Sequence, residues 1–394
     1  MSAWRPRVQR GYALIATVVL NTLVLVVLVD ATLSILFWLK DRRPVTVDMY
    51  DPLDDATLAA LYPGRRRADV GHLWQETVQP LTYESFTEFH ERPRAGTFVN
   101  VDAAGFRHVE DQQSWPPDPA RPNVFVFGGS TTFGYGVADD DTIASRLQPL
   151  LEARRPGTAV YNFGRGYYYS TQERILFEQL LASGHVPAVA IFVDGLNDFC
   201  FDADDSAVSP RLAAALDEHA RVSFVDWLAT TALGRAAEFV RSRLDRRPTT
   251  DGSSAELAPE AMDRIIRRYL ENKRLIESAS AAYGVTPVFV WQPVPMYRYD
   301  ARDHLFAGRG FFGTTRVRGG YAAMAAFVRD HPIGGNLVWL ADVQENLHEP
   351  LYVDIVHYAP RFAARLAALI DDASGALIAR AQPPRAAGSQ PPRA

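Results

Sequence analysis

The stretch Asn123-Val-Phe-Val-Phe-Gly-Gly-Ser-Thr-Thr-Phe-Gly-Tyr-Gly136 constrains the fold of this chain more than any other. Its first five residues form a short apolar run rich in β-branched and aromatic residues, with Pro122 before it and Gly128-Gly129 after it. Such a run reads as a strand buried on both faces. Asp139-Asp-Asp-Thr142 then leads into the helical pattern Ile143, Leu147, Leu150, Leu151. Ser130 therefore sits on a strand-to-helix connection, at the carboxyl end of the strand, where open α/β sheets bind their ligands. That position makes it a candidate nucleophile.

The same rhythm returns along the chain. Thr158–Phe163 is a second short strand, closed by Gly164-Arg165-Gly166 and followed by a helical pattern through Ile175, Leu176, Leu180 and Leu181. Val186–Val193 is a third, ending in Asp194-Gly-Leu-Asn-Asp198. A helix over Pro259–Tyr283 places Ile265, Tyr269, Ile276 and Ala279 on one face, and strands over Val285–Trp291 and Asn336–Ala341 follow. A last helix runs from Pro360 to about Asp371. Strands alternating with helices at this spacing predict an α/β three-layer sandwich around a mainly parallel sheet of about five strands.

A serine hydroxyl attacks well only when a base takes its proton and a third group fixes that base. Val353-Asp354-Ile-Val-His357-Tyr358, after the last strand, supplies both: Asp354 and His357 are three residues apart and can face one side of the backbone. Acyl transfer also needs donors aimed at the developing oxyanion. The Gly164-Arg165-Gly166 turn offers backbone N–H groups and Asn197 offers a side-chain amide, each at the end of a successive strand. Singly, these are ordinary turn glycines and an ordinary turn asparagine; their order along the chain sets them apart.

With these residues in view, the sequence resembles the SGNH, or GDSL-like, hydrolase superfamily. Gly128-Gly129-Ser130-Thr131 matches the serine block, Asn162 to Gly166 the glycine block, Gly195-Leu-Asn-Asp198 the asparagine block and Asp354-Ile-Val-His357 the last block, within about residues 95–375. The resemblance implies a flavodoxin-like SGNH hydrolase fold and a serine esterase needing no metal or organic cofactor. Ser130, Asp354 and His357 would be its catalytic residues, and Ser130, Gly166 and Asn197 its oxyanion hole. Two departures stand out. Gly129 replaces the family's aspartate, and the family spacing from Asn162 puts the turn donor near Tyr167; Gly166 is the expected donor, with Gly164 and Tyr167 as alternatives.

The 394-residue chain has one more constraining segment. Gly11–Val29 carries no charge, and Ala31–Leu39 continues the apolar run after Asp30. About 20 apolar residues cross a bilayer core, so residues 12–39 read as a transmembrane anchor behind an 11-residue tail. Val29-Asp30-Ala31 also resembles a signal-peptide cleavage site, but the run continues past it. Arg5, Arg7 and Arg10 nearly balance Lys40, Arg42 and Arg43; the short tail is expected to stay inside and the bulk of the chain on the extracytoplasmic, periplasmic side.

Residues 40–94 read as a polar membrane-proximal segment with little core of its own. Residues 202–258 read as a helical insertion into the 95–375 domain, and residues 376–394 as a disordered tail. A net charge of −5 gives no basis for a nucleic-acid partner. The single cysteine, Cys200, excludes an intramolecular disulfide framework. The expected partners are an acyl-ester substrate and the lipid bilayer. Tyr167-Tyr-Tyr169, Trp291 and Tyr297 are candidates for lining a carbohydrate cleft. An acyltransferase acting on extracellular polysaccharide and a non-catalytic glycan-binding module are the alternative functions.

Overall fold

The computed structural model describes residues 5–41, 53–200, 257–307, 314–331 and 333–381, with residues 231, 234 and 236. The chain divides into two compact units, residues 1–46 with 211–250 and residues 47–210 with 251–394. Nearly all of the expected insertion, and the tail from Gln382, lie outside the described residues.

In the first unit, helix α1 (Arg5–Asp41) contains the apolar run Gly11–Phe37, with a mean hydropathy of 2.6 and none of it buried. Its 27 residues extend about 40 Å at 1.5 Å per residue, more than the ~30 Å hydrocarbon core of a bilayer. A membrane span and a signal sequence share this length and composition.

The second unit opens with α2 (Asp55–Leu61) and α3 (Arg67–Thr77) and a two-stranded antiparallel hairpin, β1 (Leu81–Glu84) and β2 (Glu88–Glu91). Strand β3 (Asn123–Gly128) comes next, then α4 (Ser130–Phe133), α5 (Ile143–Arg154), β4 (Ala159–Gly164), α6 (Ser170–Ala182), β5 (Val189–Asp194) and α7 (Leu196–Cys200). After these come α8 (Pro259–Tyr283), β6 (Thr286–Trp291), α9 (Thr314–Asp330), β7 (Leu337–Trp339) and α10 (Pro360–Arg380). The five longer-range strands form one parallel sheet in the order β4-β3-β5-β6-β7.

Alternation along the strands divides the core into two kinds. Val124, Val126, Val160, Ile191, Val193, Val288 and Val290 face α5 and α10, an aliphatic layer closed by Leu147, Leu151, Leu366 and Ile370. The intervening residues face α6 and α8 and are largely aromatic. Phe163, Phe127, Phe192 and Phe289 are register partners across four strands. Their rings stack at centroid distances of 5.7, 4.9 and 5.4 Å. Because side chains alternate with a period of two, a one-residue slip would exchange the two layers; register is therefore strongly fixed.

The expected α/β sandwich is the observed one, and α8 has the expected bounds. β7 is shorter than Asn336–Ala341, and α10 runs on to Arg380, where Ile378 and Ala381 are buried, so the tail does not begin at 376. Helix α9 adds an element beyond those expected from sequence, with Val317, Gly320, Tyr321 and Met324 on its buried face; Gly320 is needed because the Phe199 ring occupies the place of a side chain.

Residues 53–91 need a larger correction. Leu58, Leu61, Tyr62, Val70, Leu73 and Trp74 are buried in one cluster with Val99, Val101, Phe133 and Val353. The segment lacks a core of its own because it shares one with the sheet domain. Leu73→Ala is accordingly expected to destabilise the protein by about 2–5 kcal/mol in denaturant unfolding. A change near zero would restore the picture of a solvated linker.

Candidate active site

β3 ends at Gly128, and Gly129 caps the single turn α4, whose first residue is Ser130. Between β7 and α10, Asp354 folds the loop around itself. Its Oδ1 accepts the N–H groups of Val356 at 2.8 Å and His357 at 2.7 Å. Its Oδ2 lies 2.6 Å from His357 Nδ1, and His357 Nε2 lies 2.8 Å from Ser130 Oγ. Burial alone would raise the Asp354 carboxyl, but His357 and the two backbone donors hold it below its ordinary value. With Nδ1–H donated to Asp354, Nε2 is the nitrogen free to accept the serine proton.

A second set of contacts fixes these residues to one another. Thr131 Oγ1 donates to Gln292 Oε1 at 2.7 Å, and Tyr358 OH reaches the same oxygen at 2.8 Å. The residue after the serine and the residue after the histidine thus meet on one buried amide just past β6. Tyr135 stacks on the His357 ring at 5.3 Å, tilted by 24°. Gln292 and Tyr135 carried no local signal; only their place beyond a strand end and after the serine block marks them.

Asn197, on α7, donates Nδ2 to the Tyr168 carbonyl at 2.7 Å. It stands directly against Gly129: a β-carbon there would lie 2.5 Å from Asn197 Nδ2 and 3.1 Å from the Tyr168 oxygen. A side chain at position 129 would therefore overlap Asn197.

Gly166 does not have the expected geometry. Its N–H donates to Glu91 Oε1 at 2.7 Å, and the N–H of Gly164 donates to Asn162 Oδ1 at 3.0 Å. Among the described residues no acceptor meets the N–H of Tyr167, whose φ of 64° is the left-handed conformation that usually selects glycine. Of the three turn amides, the one left without an acceptor is therefore that of Tyr167 and not that of Gly166. The aromatic candidates separate as well. Tyr168, Tyr169 and Trp291 are core residues at 1, 2 and 0 % exposure, Tyr297 is half-buried, and Tyr167 is exposed.

Behind Asn197 lies a buried acidic group. Burial pushes both Glu173 and Asp194 well above the usual carboxylate range; Asp194 and Asp198 add to the shift at Glu173, and Asp198 to that at Asp194. Elsewhere, ligand atoms of Asp300, Asp303 and His348 lie within 4.8 Å of one another. Asp300 already receives Arg302 Nε, however, at 3.0 and 2.9 Å on its two oxygens.

No protein-family model and no curated protein matches the sequence. Solved structures do. A gut microbial diltiazem-metabolizing enzyme aligns over 67% of this chain and 49% of its own, about half its length, at 12% identity and a TM-score of 0.36. A member of the lipolytic protein G-D-S-L family from Veillonella parvula aligns over 66% of this chain and 98% of its own, at 12% identity and a TM-score of 0.34. The lipase/acylhydrolase from Enterococcus faecalis aligns over 67% and 99%, at 15% identity and a TM-score of 0.35.

Two outcomes follow from this geometry. Gly129→Asp is expected to displace Asn197 and lower kcat by about 10²–10³; a variant as active as the parent would refute the close approach. The raised acids give a pH effect of opposite sign to that of a salt-bridged carboxylate. Above pH ~4 the unfolded chain releases protons that folded Glu173 and Asp194 keep, so stability falls as pH rises toward their folded values. Glu173→Gln should flatten the fall in Tm between pH 5 and 8 (a range of about three units chosen to lie above the unfolded value), and an unchanged slope would count against the buried pair.

Proposed function

We propose that this chain is a serine esterase of the SGNH type, and the observation that carries the proposal is the unbroken hydrogen-bond chain Ser130–His357–Asp354. Ser130 Oγ attacks the ester carbonyl as its proton passes to His357 Nε2, and Asp354 steadies the imidazolium that forms. The carbonyl π electrons move to oxygen. That oxyanion takes hydrogen bonds from the Ser130 N–H, the Tyr167 N–H and the second amide hydrogen of Asn197. Collapse expels the alcohol, which leaves with the proton from His357. Water then repeats the sequence on the acyl-serine and frees the acid.

The substrate is an acyl ester. The exposed Tyr167 ring beside the oxyanion turn is the aromatic face on which a sugar can stack, and it favours an O-acetylated envelope glycan. A sugar hydroxyl replacing water in the second half would make the same site an acyltransferase. Residues 12–39 are read as an uncleaved anchor, supported by an apolar run longer than a signal peptide's, with the catalytic unit on the extracytoplasmic side.

Full-length protein should hydrolyse short-chain acyl esters and acetylated glycans. Ser130→Ala and His357→Ala should each lower kcat by about 10⁶, and Asp354→Ala by about 10⁴. Acetate release unaffected by Ser130→Ala would overturn the assignment, and acetyl transfer to a glycan outrunning release would convert it to a transferase.

A further inference from the structure

The β1–β2 hairpin precedes the domain expected from sequence, yet it grips the oxyanion turn at three points and the start of α6 at a fourth. Glu84 pairs with the buried guanidinium of Arg165. Tyr168 OH donates to the Phe89 carbonyl at 2.7 Å, and Gln172 Nε2 to the Thr87 carbonyl at 3.0 Å. The fourth contact is Glu91, only 4 % exposed, whose Oε1 accepts both the Gly166 N–H at 2.7 Å and Tyr135 OH at 3.1 Å. Tyr135 is the ring stacked on His357. Its hydroxyl lies against Gly166, where a β-carbon would be 2.5 Å away.

One carboxyl oxygen therefore joins the turn that presents the Tyr167 N–H to the ring that backs the catalytic imidazole. Burial and the neighbouring Glu91 push the Tyr135 phenol well above its usual value, so it stays a proton donor to that oxygen. We propose that Glu91 is a positioning residue of the active site, holding the oxyanion turn and His357 in fixed relation, and that the hairpin is part of the catalytic unit. This rests on the esterase reading above. Misplacing donor and base together slows acylation without removing any group that binds substrate.

The test uses the full chain in detergent, with the rate of Ser130 labelling by a fluorophosphonate and the kcat and KM for p-nitrophenyl acetate as readouts. Glu91→Ala is expected to lower labelling rate and kcat by about tenfold or more, less than the ~10²–10³ seen on deleting an oxyanion donor, with KM little changed. Glu91→Gln, which keeps an acceptor oxygen, should recover most of the rate. Tyr135→Phe, which keeps the ring, should fall between them. Ile370→Ala, a packing change in the aliphatic layer on the other face of the sheet, controls for lost stability and should keep the rate below its own Tm. Glu91→Ala labelled at the parental rate overturns the proposal. So does Glu91→Gln as slow as Glu91→Ala, or Ile370→Ala as slow as either. A wild-type chain left unlabelled at Ser130 overturns the esterase reading and the proposal together.

Discussion

Parallel pairing of β3 with both neighbours is the constraint from which the site follows. Gly128 is the register partner of Gly164 on one side and of Val193 on the other, and Asp194 pairs with Trp291 further along the sheet. Ser130, the Gly166–Tyr167 turn, Asn197 and Gln292 each lie within a few residues of that line. No separate device has to bring four turns together. What fixes the line is burial: these strands are enclosed on both faces, and the stacked phenylalanines on one side differ from the valines on the other. Core packing thus sets where the strand ends lie, and the polar contacts position the side chains upon them.

Within that frame the turns approach more closely than side chains normally allow. Asn197 occupies the place of a side chain on Gly129, and Tyr135 that on Gly166. Tyr135 is itself held from below. The buried Arg107 guanidinium donates to the carbonyls of Phe133 at 2.8 Å, Gly134 at 2.5 Å and Val137 at 2.6 Å, and pairs with Asp139 at 2.9 Å. A buried charge is tolerated only when its donors are met, and here meeting them shapes the loop that carries the ring stacked on His357. The Arg107 cation thus helps place the ring that stacks on His357, whose own nitrogens are held by Asp354.

What the sequence disclosed reflects the range of the interactions involved. Strands buried on both faces write their identity locally, so β3, β4, β5 and β6 could be read from apolar runs and their terminal glycines. Asp354 and His357 are three residues apart and sit in a turn whose hydrogen bonds are local, so their pairing was legible as well. Glu91, Gln292 and Tyr135 act through partners 75, 161 and 44 residues away, and no spacing rule reaches that far. Gly166 misled for a related reason. A glycine in a turn suggests a free amide, whereas here it makes room for Tyr135, and the left-handed position belongs to the neighbouring Tyr167.

The same logic moves the boundary of the folded unit. A domain beginning near residue 95 would strip Leu73 and Trp74 from Val99, Val101, Phe133 and Val353. It would also leave the 1 %-exposed Arg165 without Glu84, and the Gly166 amide without Glu91. Each loss uncovers an apolar surface or orphans a buried polar group, and both kinds of loss are costly. The packed segment reaches back to Asp54, whose side chain accepts the Thr57 N–H at 2.7 Å and caps α2. Residues 54–91 therefore belong to the same folded unit as the sheet, and their removal would uncover both its core and the turn that carries Gly166.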